Sequence, residues 1–217
     1  SHGSLSGTAP DLSFTPEADY NGADSFTFKV FDGMAESNTA TVSLTVTPVN
    51  DKPVADAIAA SGDEDSSFAV TLSGSDVDGD TLNFFLTTAP LHGSLSGTGA
   101  NLTYTPHANY HGTDSFAFKA SDGSLASDSA LVSITVNPVN DAPTASNGTL
   151  TTFEDTPKSL TPSANDVDGD SLSFVVITAP SHGSLEEGAE LRYTPDADYH
   201  GSDSFTYQIV DPEGASD

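Results

Sequence analysis

The sequence has no cysteine, no tryptophan and one methionine, and it has only five Lys and Arg residues against 32 Asp and Glu in 217 residues. Without thiols, the chain cannot form disulfides, thiolate metal sites or a cysteine nucleophile. So few basic residues argue against nucleic acid as a partner, because binding to phosphates requires a positively charged face. No apolar run approaches the roughly 20 residues that a membrane-spanning helix needs. What is left is a strongly acidic chain, with a formal net charge of −27.

High net charge together with abundant Ser, Thr, Gly and Pro is typical of disordered chains. The apolar residues argue against disorder here, because they alternate with polar residues in short runs. Val42, Leu44 and Val46 form one such run, and the segment 116–120 contains another. A period of two is the pattern of a strand with one buried face, and no comparable run has helical spacing. The sequence therefore predicts an all-β protein.

An internal repeat of about 90 residues organises the chain. The string His-Gly-Ser-Leu begins at His2, His92 and His182, so that both intervals are 90 residues. Asp-Val-Asp-Gly-Asp occupies residues 76–80 and again 166–170. A repeating unit of this length, built from short strands, is typical of an immunoglobulin-like β-sandwich.

Asn-Asp-x-Pro strings are interpreted as linkers between three modules. Residues 51–140 are the complete, middle module, residues 1–50 are the C-terminal half of a first module, and residues 141–217 are a third module lacking its last strand. Because Ser1 is not preceded by a secretion signal, we expect the chain to be a piece of a longer array. Strand exchange between neighbouring molecules is an alternative way to complete the open modules.

Seven strands, A to G, are predicted in the middle module. They are expected near residues 54–60, 68–72, 82–87, 94–96, 102–105, 115–121 and 130–136. The side chains of strands C and G that are expected to point into the core are Leu82, Phe84, Leu86, Val132, Ile134 and Val136. Tyr20, Tyr110 and Tyr199 follow strand E in the three copies, where a tyrosine corner places the hydroxyl against nearby backbone.

Acidic residues of the middle module concentrate in its turns and linkers. Eight of the 11 acids in residues 51–140 lie there, namely Asp51, Asp63, Glu64, Asp65, Asp76, Asp78, Asp80 and Asp122. Solubility does not require acids at the same turns in each copy. In stacked sandwiches the A–B turn of one module meets the B–C and F–G turns of the next, so the acids should collect at the junctions. Clustered carboxylate, carbonyl and Asn amide oxygens are the ligands that Ca²⁺ prefers.

These motifs resemble the junctions of cadherins, and the middle module resembles a bacterial cadherin-like repeat of large secreted RTX-type and biofilm adhesins. Cadherin junctions combine a Glu near the first strand, an Asp-x-Asp loop, an Asp-Gly turn after strand F and an Asn-Asp linker. The resemblance implies seven-stranded Greek-key sandwiches in a rod, with Ca²⁺ as cofactor. The metal ligands that it implies are Asn50, Asp51, Glu64, Asp65, Asp76, Asp78, Asp80, Asp122, Asn140, Asp141, Glu154, Asp166, Asp168, Asp170 and Asp211.

The sequence also departs from the cadherin pattern. Pro48 and Pro138 replace the first linker Asp of the family, which leaves the number of ions per junction open. The segment 76–80 also resembles the start of an EF-hand loop, but Thr87 stands where that loop needs a bidentate Glu.

The resemblance implies a calcium-rigidified extender of a bacterial adhesin, secreted or anchored at the cell surface, acting in cell adhesion and biofilms. Its expected partners are neighbouring modules of the same chain and, through other domains, a cell-surface protein or polysaccharide. Neither nucleic acid nor direct membrane insertion is expected. A carbohydrate-binding module of an extracellular, polysaccharide-associated protein is the alternative. Catalysis is not expected, because the recurring His-Gly-Ser string is more simply a turn than a repeated active site.

Overall fold

The computed structural model describes residues 2–188 and 190–216, and all regular secondary structure in these ranges is β-strand. Within them, no helix has the length and apolarity required to cross a membrane. The predicted all-β class is confirmed.

The chain forms two compact units. The first comprises Ser1–Ser61, Ser67–Thr105 and Thr113–Thr135. The second comprises Gly62–Ser66, Pro106–Gly112 and Val136–Asp217. Two turns of the middle module therefore belong to the same compact unit as the linker near residue 140 and the third module.

Four strands precede the middle module, and they pair as two antiparallel ribbons, β1 with β2 and β3 with β4. These strands are β1 (Gly3–Thr8), β2 (Asp11–Pro16), β3 (Gly22–Phe28) and β4 (Ala40–Val46). The β3 and β4 strands pair in register from Gly22 opposite Val46 to Phe28 opposite Ala40. No third strand of the described chain joins this pair.

The middle module contains nine strands in the order of the predicted A to G. They are β5 (Val54–Ala55), β6 (Ile58–Asp63), β7 (Phe68–Thr71), β8 (Gly74–Ser75), β9 (Asn83–Thr88), β10 (Gly93–Thr98), β11 (Asn101–Pro106), β12 (Gly112–Ser121) and β13 (Ala130–Asn137). One sheet has the order β10-β11-β7 and the other has the order β6-β13-β12-β9, while β5 pairs with β8. The seven predicted strands are all present. Strand A is divided into β5 and β6, and the short β8 was not predicted.

Alternating side chains of both sheets form the apolar core. The most buried are Val70, Leu72, Leu102, Tyr104, Phe116, Phe118, Ala120, Ala130, Val132, Ile134 and Val136. On β13 every second residue is buried, which confirms the prediction for Val132, Ile134 and Val136. Fully burying each such side chain contributes about 1.5–3 kcal/mol, so β13 is a major source of the stability of this module.

The expectation that Leu86 points into the core is wrong, because its side chain is 46% exposed. It lies on β9, which is the edge strand of its sheet. The pairing of β9 with β12 shifts register between Ala117 and Phe118. Such a bulge bends the strand locally, and an edge strand has a neighbour on one side only. Earlier in the strand, Phe84 is half-buried.

The predicted tyrosine corners are present in the first and third modules. The hydroxyl of Tyr20 donates a hydrogen bond to the carbonyl of Ala23 at 2.7 Å, and that of Tyr199 donates to Ser202 at 2.8 Å. The imidazole rings of the His-Gly-Ser strings, which were read only as turns, stack on these phenols. The ring centroids are 4.3 Å apart in both His2–Tyr20 and His182–Tyr199.

One buried carboxylate, Asp114, holds the turn before β10 against the start of β12. Its oxygens accept hydrogen bonds from the amides of Leu91, His92 and Ser115 and from the hydroxyl of Tyr104, at 2.8–3.0 Å. Burial by itself raises the pKa of this carboxyl, but the four hydrogen bonds outweigh burial and lower it below its usual value. The ionised form is therefore part of the fold.

The third module repeats this arrangement at Asp203. Its carboxylate accepts from the amides of Ser181, His182 and Ser204 and from the hydroxyl of Tyr193. Burial raises the pKa of Asp203, but the hydrogen bonds lower it by more. The net effect is a pKa of about 2.

Seven strands lie in the described part of the third module. They are β14 (Thr144–Ser146), β15 (Lys158–Leu160), β16 (Ser163–Asn165), β17 (Ser173–Thr178), β18 (Gly183–Glu186), β19 (Leu191–Pro195) and β20 (Thr206–Val210). They form a sheet of order β15-β19-β18 and two antiparallel pairs, β17 with β20 and β14 with β16.

Replacing Asp114 with Asn should destabilise the middle module by about 1–3 kcal/mol, because an amide cannot accept through both terminal atoms and leaves buried donors unpaired. Urea denaturation measures this loss. Asp128→Asn is the matched control, because it removes an acid whose side chain is 93% exposed and whose ion pair with Lys52 is a surface pair of little energetic weight. Equal effects of the two substitutions would contradict the structural role of Asp114.

The lowered pKa of Asp203 predicts how the stability of the chain changes with pH. Its stabilising contribution should be complete above the unfolded pKa of about 3.9 and should disappear as pH falls toward the folded pKa of about 2. The stability difference between the wild-type chain and Asp203→Asn should therefore shrink over that interval, as followed by thermal unfolding from pH 5 to pH 2. A constant difference across the range would be the contrary result.

Candidate metal site

Three carboxylates of the third module gather in the turn between β16 and β17. Asp166, Asp168 and Asp170 each offer an oxygen within 4.8 Å of the others. The turn is held by Oδ1 of Asp166, which accepts from the backbone amides of Asp168, Gly169 and Asp170 at 2.9, 3.1 and 3.3 Å. Gly169 has a φ of +80°, which glycine adopts without steric strain. With Oδ1 thus engaged, Oδ2 of Asp166 is buried and has no hydrogen-bond partner in the described chain.

The linker brings a fourth carboxylate to this turn. The backbone amide of Asp141 donates to Oδ2 of Asp168 at 2.8 Å. Oδ2 of Asp141 is buried and, like that of Asp166, has no hydrogen-bond partner among the described residues. The preceding residue, Asn140, donates through Nδ2 to Asp211 at 2.6 Å, so its amide oxygen is the end that remains to bind a cation.

The A–B turn of the middle module supplies two more acids to the same compact unit. Glu64 is 2% exposed. Its Oε1 accepts from the amide of Val139 at 2.9 Å and lies 3.5 Å from Nδ1 of His111. Asp65 has a φ of +56°, and its Oδ1 accepts from the amide of Asn109 at 3.0 Å.

Electrostatic repulsion identifies these acids as one cluster. Burial raises the pKa of Asp141, and neighbouring negative charges raise it further. The carboxylates responsible, in order of effect, are those of Asp65, Asp168, Glu64 and Asp166. Asp170 behaves in the same way, since burial and then the charges of Asp166, Asp168 and Asp211 raise its pKa. We call this group the 141 cluster: Glu64, Asp65, Asn140, Asp141, Asp166, Asp168 and Asp170.

The ligand atoms that the 141 cluster offers fit a hard divalent cation. All are oxygens, which Ca²⁺ binds in sets of six to eight. A buried carboxylate oxygen without a partner is unfavourable unless a proton or a cation compensates it, and this cluster has two, on Asp141 and Asp166. The sequence supplies no thiolate, which would have favoured Zn²⁺.

A similar arrangement surrounds the first linker. Oxygens of Asp76, Asp78 and Asp80 lie within 4.8 Å of one another, and Oδ2 of Asp76 is buried without a described partner. The amide of Asp51 donates to Asp78 at 2.8 Å, as Asp141 does to Asp168. Nδ2 of Asn50 donates to Asp122 at 2.8 Å, as Asn140 does to Asp211.

Three of the residues implied as ligands have other contacts. Asp122 accepts from Asn50 and from two amides of its own turn, and Asp211 accepts likewise from Asn140 and from the amides of Gly214 and Ala215. The hydrogen bond from the Leu125 amide is the main cause of the lowered pKa of Asp122. For Asp211 the main cause is the hydrogen bond from the side chain of Asn140. These two carboxylates position the linker Asn residues. Glu154 is exposed, 4.0 Å from Nδ1 of His200, and belongs to neither three-carboxylate group.

Residues 50–135 and 140–217 match the family model of the bacterial Ig domain, and residues 1–47 match that of the cadherin-like domain. The chain belongs to the bacterial Ig domain family. The predicted resemblance to bacterial cadherin-like repeats is thereby confirmed. Domains of this kind are typically structural, non-enzymatic modules of extracellular or surface proteins.

Solved structures of cadherin repeats have the same fold as these bacterial Ig domains. Mouse cadherin-23 EC22–24 superposes with a TM-score of 0.58 at 18% identity, covering 94% of this chain and 74% of that one. Protocadherin Gamma B2 extracellular cadherin domains 1–5 give a TM-score of 0.58 at 14% identity, covering 99% and 48%. At these identities the likeness concerns the fold alone.

Curated relatives share only a short part of their length with this chain. Integrin beta-like protein A of Dictyostelium discoideum is 32% identical over 148 residues, which is 57% of this chain and 8% of that protein. Protein GAMETE EXPRESSED 2 of Arabidopsis thaliana is 40% identical over 74 residues, 33% of this chain and again 8% of that protein.

Neutralising one member of the 141 cluster should stabilise the metal-free protein. Asp170 is the suitable position, because burial and three neighbouring carboxylates raise its pKa. In EDTA at pH 7, Asp170→Asn should raise the melting temperature by about 2–4 °C, whereas the exposed substitution Asp196→Asn should leave it nearly unchanged. A lower melting temperature for Asp170→Asn would show that repulsion is not the dominant interaction there.

Proposed function

We propose that the 141 cluster binds Ca²⁺ and thereby stiffens the joint between consecutive modules, so that the chain acts as an extender of a bacterial surface or secreted adhesin. The observation that carries the proposal is that carboxylates from two consecutive modules act electrostatically on one residue of the linker between them. Besides burial, acids from the A–B turn of one module and from the B–C turn of the next raise the pKa of the linker residue Asp141, whose amide also donates to Asp168 at 2.8 Å.

Repulsion among the carboxylates of the metal-free cluster is large enough to affect the stability of the linker region. Two unit charges 4 Å apart interact by about 1 kcal/mol in bulk water and about 4 kcal/mol at the effective dielectric constant of a protein surface. Hydrogen bonds from the backbone fix Asp166 and Asp168, so these side chains cannot separate freely. Bound Ca²⁺ supplies the positive charge that turns this repulsion into attraction.

The residues that connect the modules are themselves tied to the cluster. The amide of Val139 donates to Glu64 of the middle module, and the amide of Asp141 donates to Asp168 of the third. Both hydrogen bonds require their carboxylates to keep one position. Any cation that holds Glu64 and Asp168 in place therefore also holds the linker between them.

Family membership supports an extracellular, mechanical role. Cadherin-like domains usually bind calcium, and extracellular Ca²⁺ modules commonly have dissociation constants of about 10⁻⁴–10⁻³ M. A site of that affinity would be filled outside a cell and empty in the cytosol. We propose that the stiffened modules hold a separate adhesive domain away from the cell surface, in cell adhesion or biofilm formation.

Calcium should bind and stabilise the wild-type chain more than it does a variant of the 141 cluster, which retains only the similar carboxylates of the first linker. Titration calorimetry and thermal unfolding, with Ca²⁺ and with EDTA, measure both effects. At a free Ca²⁺ concentration 100 times the dissociation constant, one site adds about 2.7 kcal/mol of stability. Asp166→Ala/Asp168→Ala should lose binding at the 141 cluster, because it removes two of the four carboxylates at this turn and linker.

The control is Glu187→Ala/Asp196→Ala, which changes the net charge equally at two exposed positions of the third module. This control should bind Ca²⁺ and be stabilised by it as the wild-type chain is. Calcium uptake that is unchanged in Asp166→Ala/Asp168→Ala would contradict the assignment. Glycan binding that persists in EDTA would favour the carbohydrate-binding alternative.

A further inference from the structure

One side of the middle module carries no formal charge. No Asp, Glu, Lys or Arg occurs between residues 81 and 113, although the chain has 32 Asp and Glu and five Lys and Arg. Within this segment β9, the turn at residues 89–92 and β10 follow one another, all in the first compact unit. β9 is the last strand of one sheet, and β10 is the last strand of the other. We call β9, residues 89–92 and β10 the neutral edge of the module.

The strand β9 is an open edge strand with apolar side chains on both of its faces. It pairs with β12 and with no other strand of the described chain. Phe85 is 49% exposed and Leu86 is 46% exposed. Proteins usually block such edges with charged side chains, proline or a bulge, because an open edge pairs readily with another strand. β9 contains neither charge nor proline, and the bulge in its pairing with β12 lies beyond Leu86.

Hydrogen bonds of the neighbouring strand show which backbone groups of β9 face the open edge. The carbonyl of Ala120 accepts from the amide of Ser127 at 2.9 Å, and the amide of Ala120 donates to Oγ of Ser127 at 2.9 Å. Both groups of Ala120 therefore point away from β9, although Ala120 lies directly opposite Phe84. Opposite residues of an antiparallel pair either exchange hydrogen bonds or both turn their groups outward. The amide and carbonyl of Phe84, and those of Leu86 two residues later, consequently face the open edge.

Charge favours a second copy of the same strand as the occupant of this edge. Two copies of a chain with a formal net charge of −27 repel each other through the acids of their turns and linkers. At the neutral edge, two copies can approach without placing like charges opposite each other. The third module differs here. Its strand β17 is also uncharged, but the following strand β18 carries Glu186, where β10 carries Ser96.

We propose that two copies of this chain pair through their β9 strands, side by side and antiparallel, so that the four-stranded sheets of two middle modules become one continuous sheet. A twofold axis at Phe85 gives the register. Phe84 of each copy then lies opposite Leu86 of the other, and these two residues exchange hydrogen bonds through their outward amides and carbonyls.

This register also pairs the exposed apolar side chains. The ring of Phe84 lies on the core face of β9, where its centroid is 5.9 Å from that of Phe118. Leu86, two residues later, lies on the same face of the strand, so Phe84 of the second copy would cover it. On the opposite face, the two Phe85 rings become a cross-strand aromatic pair, which stabilises antiparallel strands.

The antiparallel orientation keeps the acidic turns of the two copies apart. Asp76, Asp78 and Asp80 precede β9, so they would lie at opposite ends of the joined strands. The six residues of β9 span about 20 Å at about 3.4 Å per residue, whereas the screening length at physiological ionic strength is about 8 Å. Pairing therefore does not require Ca²⁺, and it stands apart from the function proposed above.

A charge placed on the open edge should prevent pairing. In EDTA and about 0.5 M NaCl, which screens the repulsion between copies, sedimentation equilibrium of the wild-type chain should give a mass that rises toward twice the monomer value by about 200 µM. Leu86→Lys should raise the dissociation constant of the dimer by about tenfold or more, because pairing would bury an uncompensated charge. Leu131→Lys is the matched control. It adds the same charge at a position that is 51% exposed on β13, an inner strand of the same sheet, and it should dimerise as the wild-type chain does.

Cysteine crosslinking tests the register, because the chain has no cysteine of its own. The two copies of residue 85 would face each other across the twofold axis with Cα atoms about 4.5 Å apart, a distance that a disulfide spans. Phe85→Cys at about 100 µM, mildly oxidised, should form a covalent dimer on a non-reducing gel. Thr87→Cys is the control on the same strand. Its two cysteines would lie four residues out of register, about 13 Å apart, and should remain unlinked. Far-UV circular dichroism checks that both variants are folded.

Three results would overturn the proposal. One is a wild-type chain that stays monomeric at about 200 µM. Another is an equal loss of dimer in Leu86→Lys and Leu131→Lys, or crosslinking of Thr87→Cys as readily as of Phe85→Cys. The third is a monomer that is retarded by a neutral polysaccharide in affinity electrophoresis and loses this retardation in Phe85→Ala, which would assign the neutral edge to a glycan instead.

Discussion

Mutual repulsion among carboxylates held in fixed positions is the constraint on which the linker region depends. The carboxylates of Asp166 and Asp168 cannot freely move apart, because they accept backbone hydrogen bonds, and the amide of Asp141 ties the linker backbone to Asp168. One oxygen of Asp141 and one of Asp166 are also withdrawn from solvent without receiving a hydrogen bond from the described protein. Buried like charges of this kind are unfavourable unless positive charge or a proton compensates them, and they lie at the linker that precedes the third module.

The partners of each acid determine what it does. Asp114 and Asp203 are surrounded by amide and hydroxyl donors, which lower their pKa and make them internal fasteners of each sandwich. Asp122 and Asp211 also accept from donors and so fix the linker Asn residues. Burial raises the pKa values of Asp141 and Asp170, and the other acids around them raise these values further. One residue type thus serves as structural acceptor in some places and as candidate metal ligand in others.

Much of the fold follows from periodicity. Alternation in segments such as 130–136 depends only on which face of a strand is buried, so strands and core residues could be predicted for β13. The prediction for Leu86 was wrong because the burial of a residue on an edge strand depends on which segments pack against that edge. The alternation within the strand does not show which segments those are. The number of carboxylates at each turn was readable from the repeat, whereas their hydrogen-bond partners were not.

The structural role of Asp114 was missed, although a signal existed. Asp-Ser-Phe recurs at residues 24–26, 114–116 and 203–205, and in each copy the Asp accepts from the amide of the His that begins His-Gly-Ser-Leu. Two strings that repeat with the same period are candidates for mutual contact. Sequence alone could not show that one of these acids would be buried and ionised while others would gather around a linker.

Hydrogen exchange at the linker amides tests the central claim most directly, because the amides of Val139 and Asp141 connect the linker to carboxylates of both modules. If Ca²⁺ holds the 141 cluster together, exchange at these two amides should slow by about tenfold or more in saturating Ca²⁺ relative to EDTA, while the amide of Ile134 within β13 changes little. Equal exchange rates in Ca²⁺ and EDTA would contradict the account.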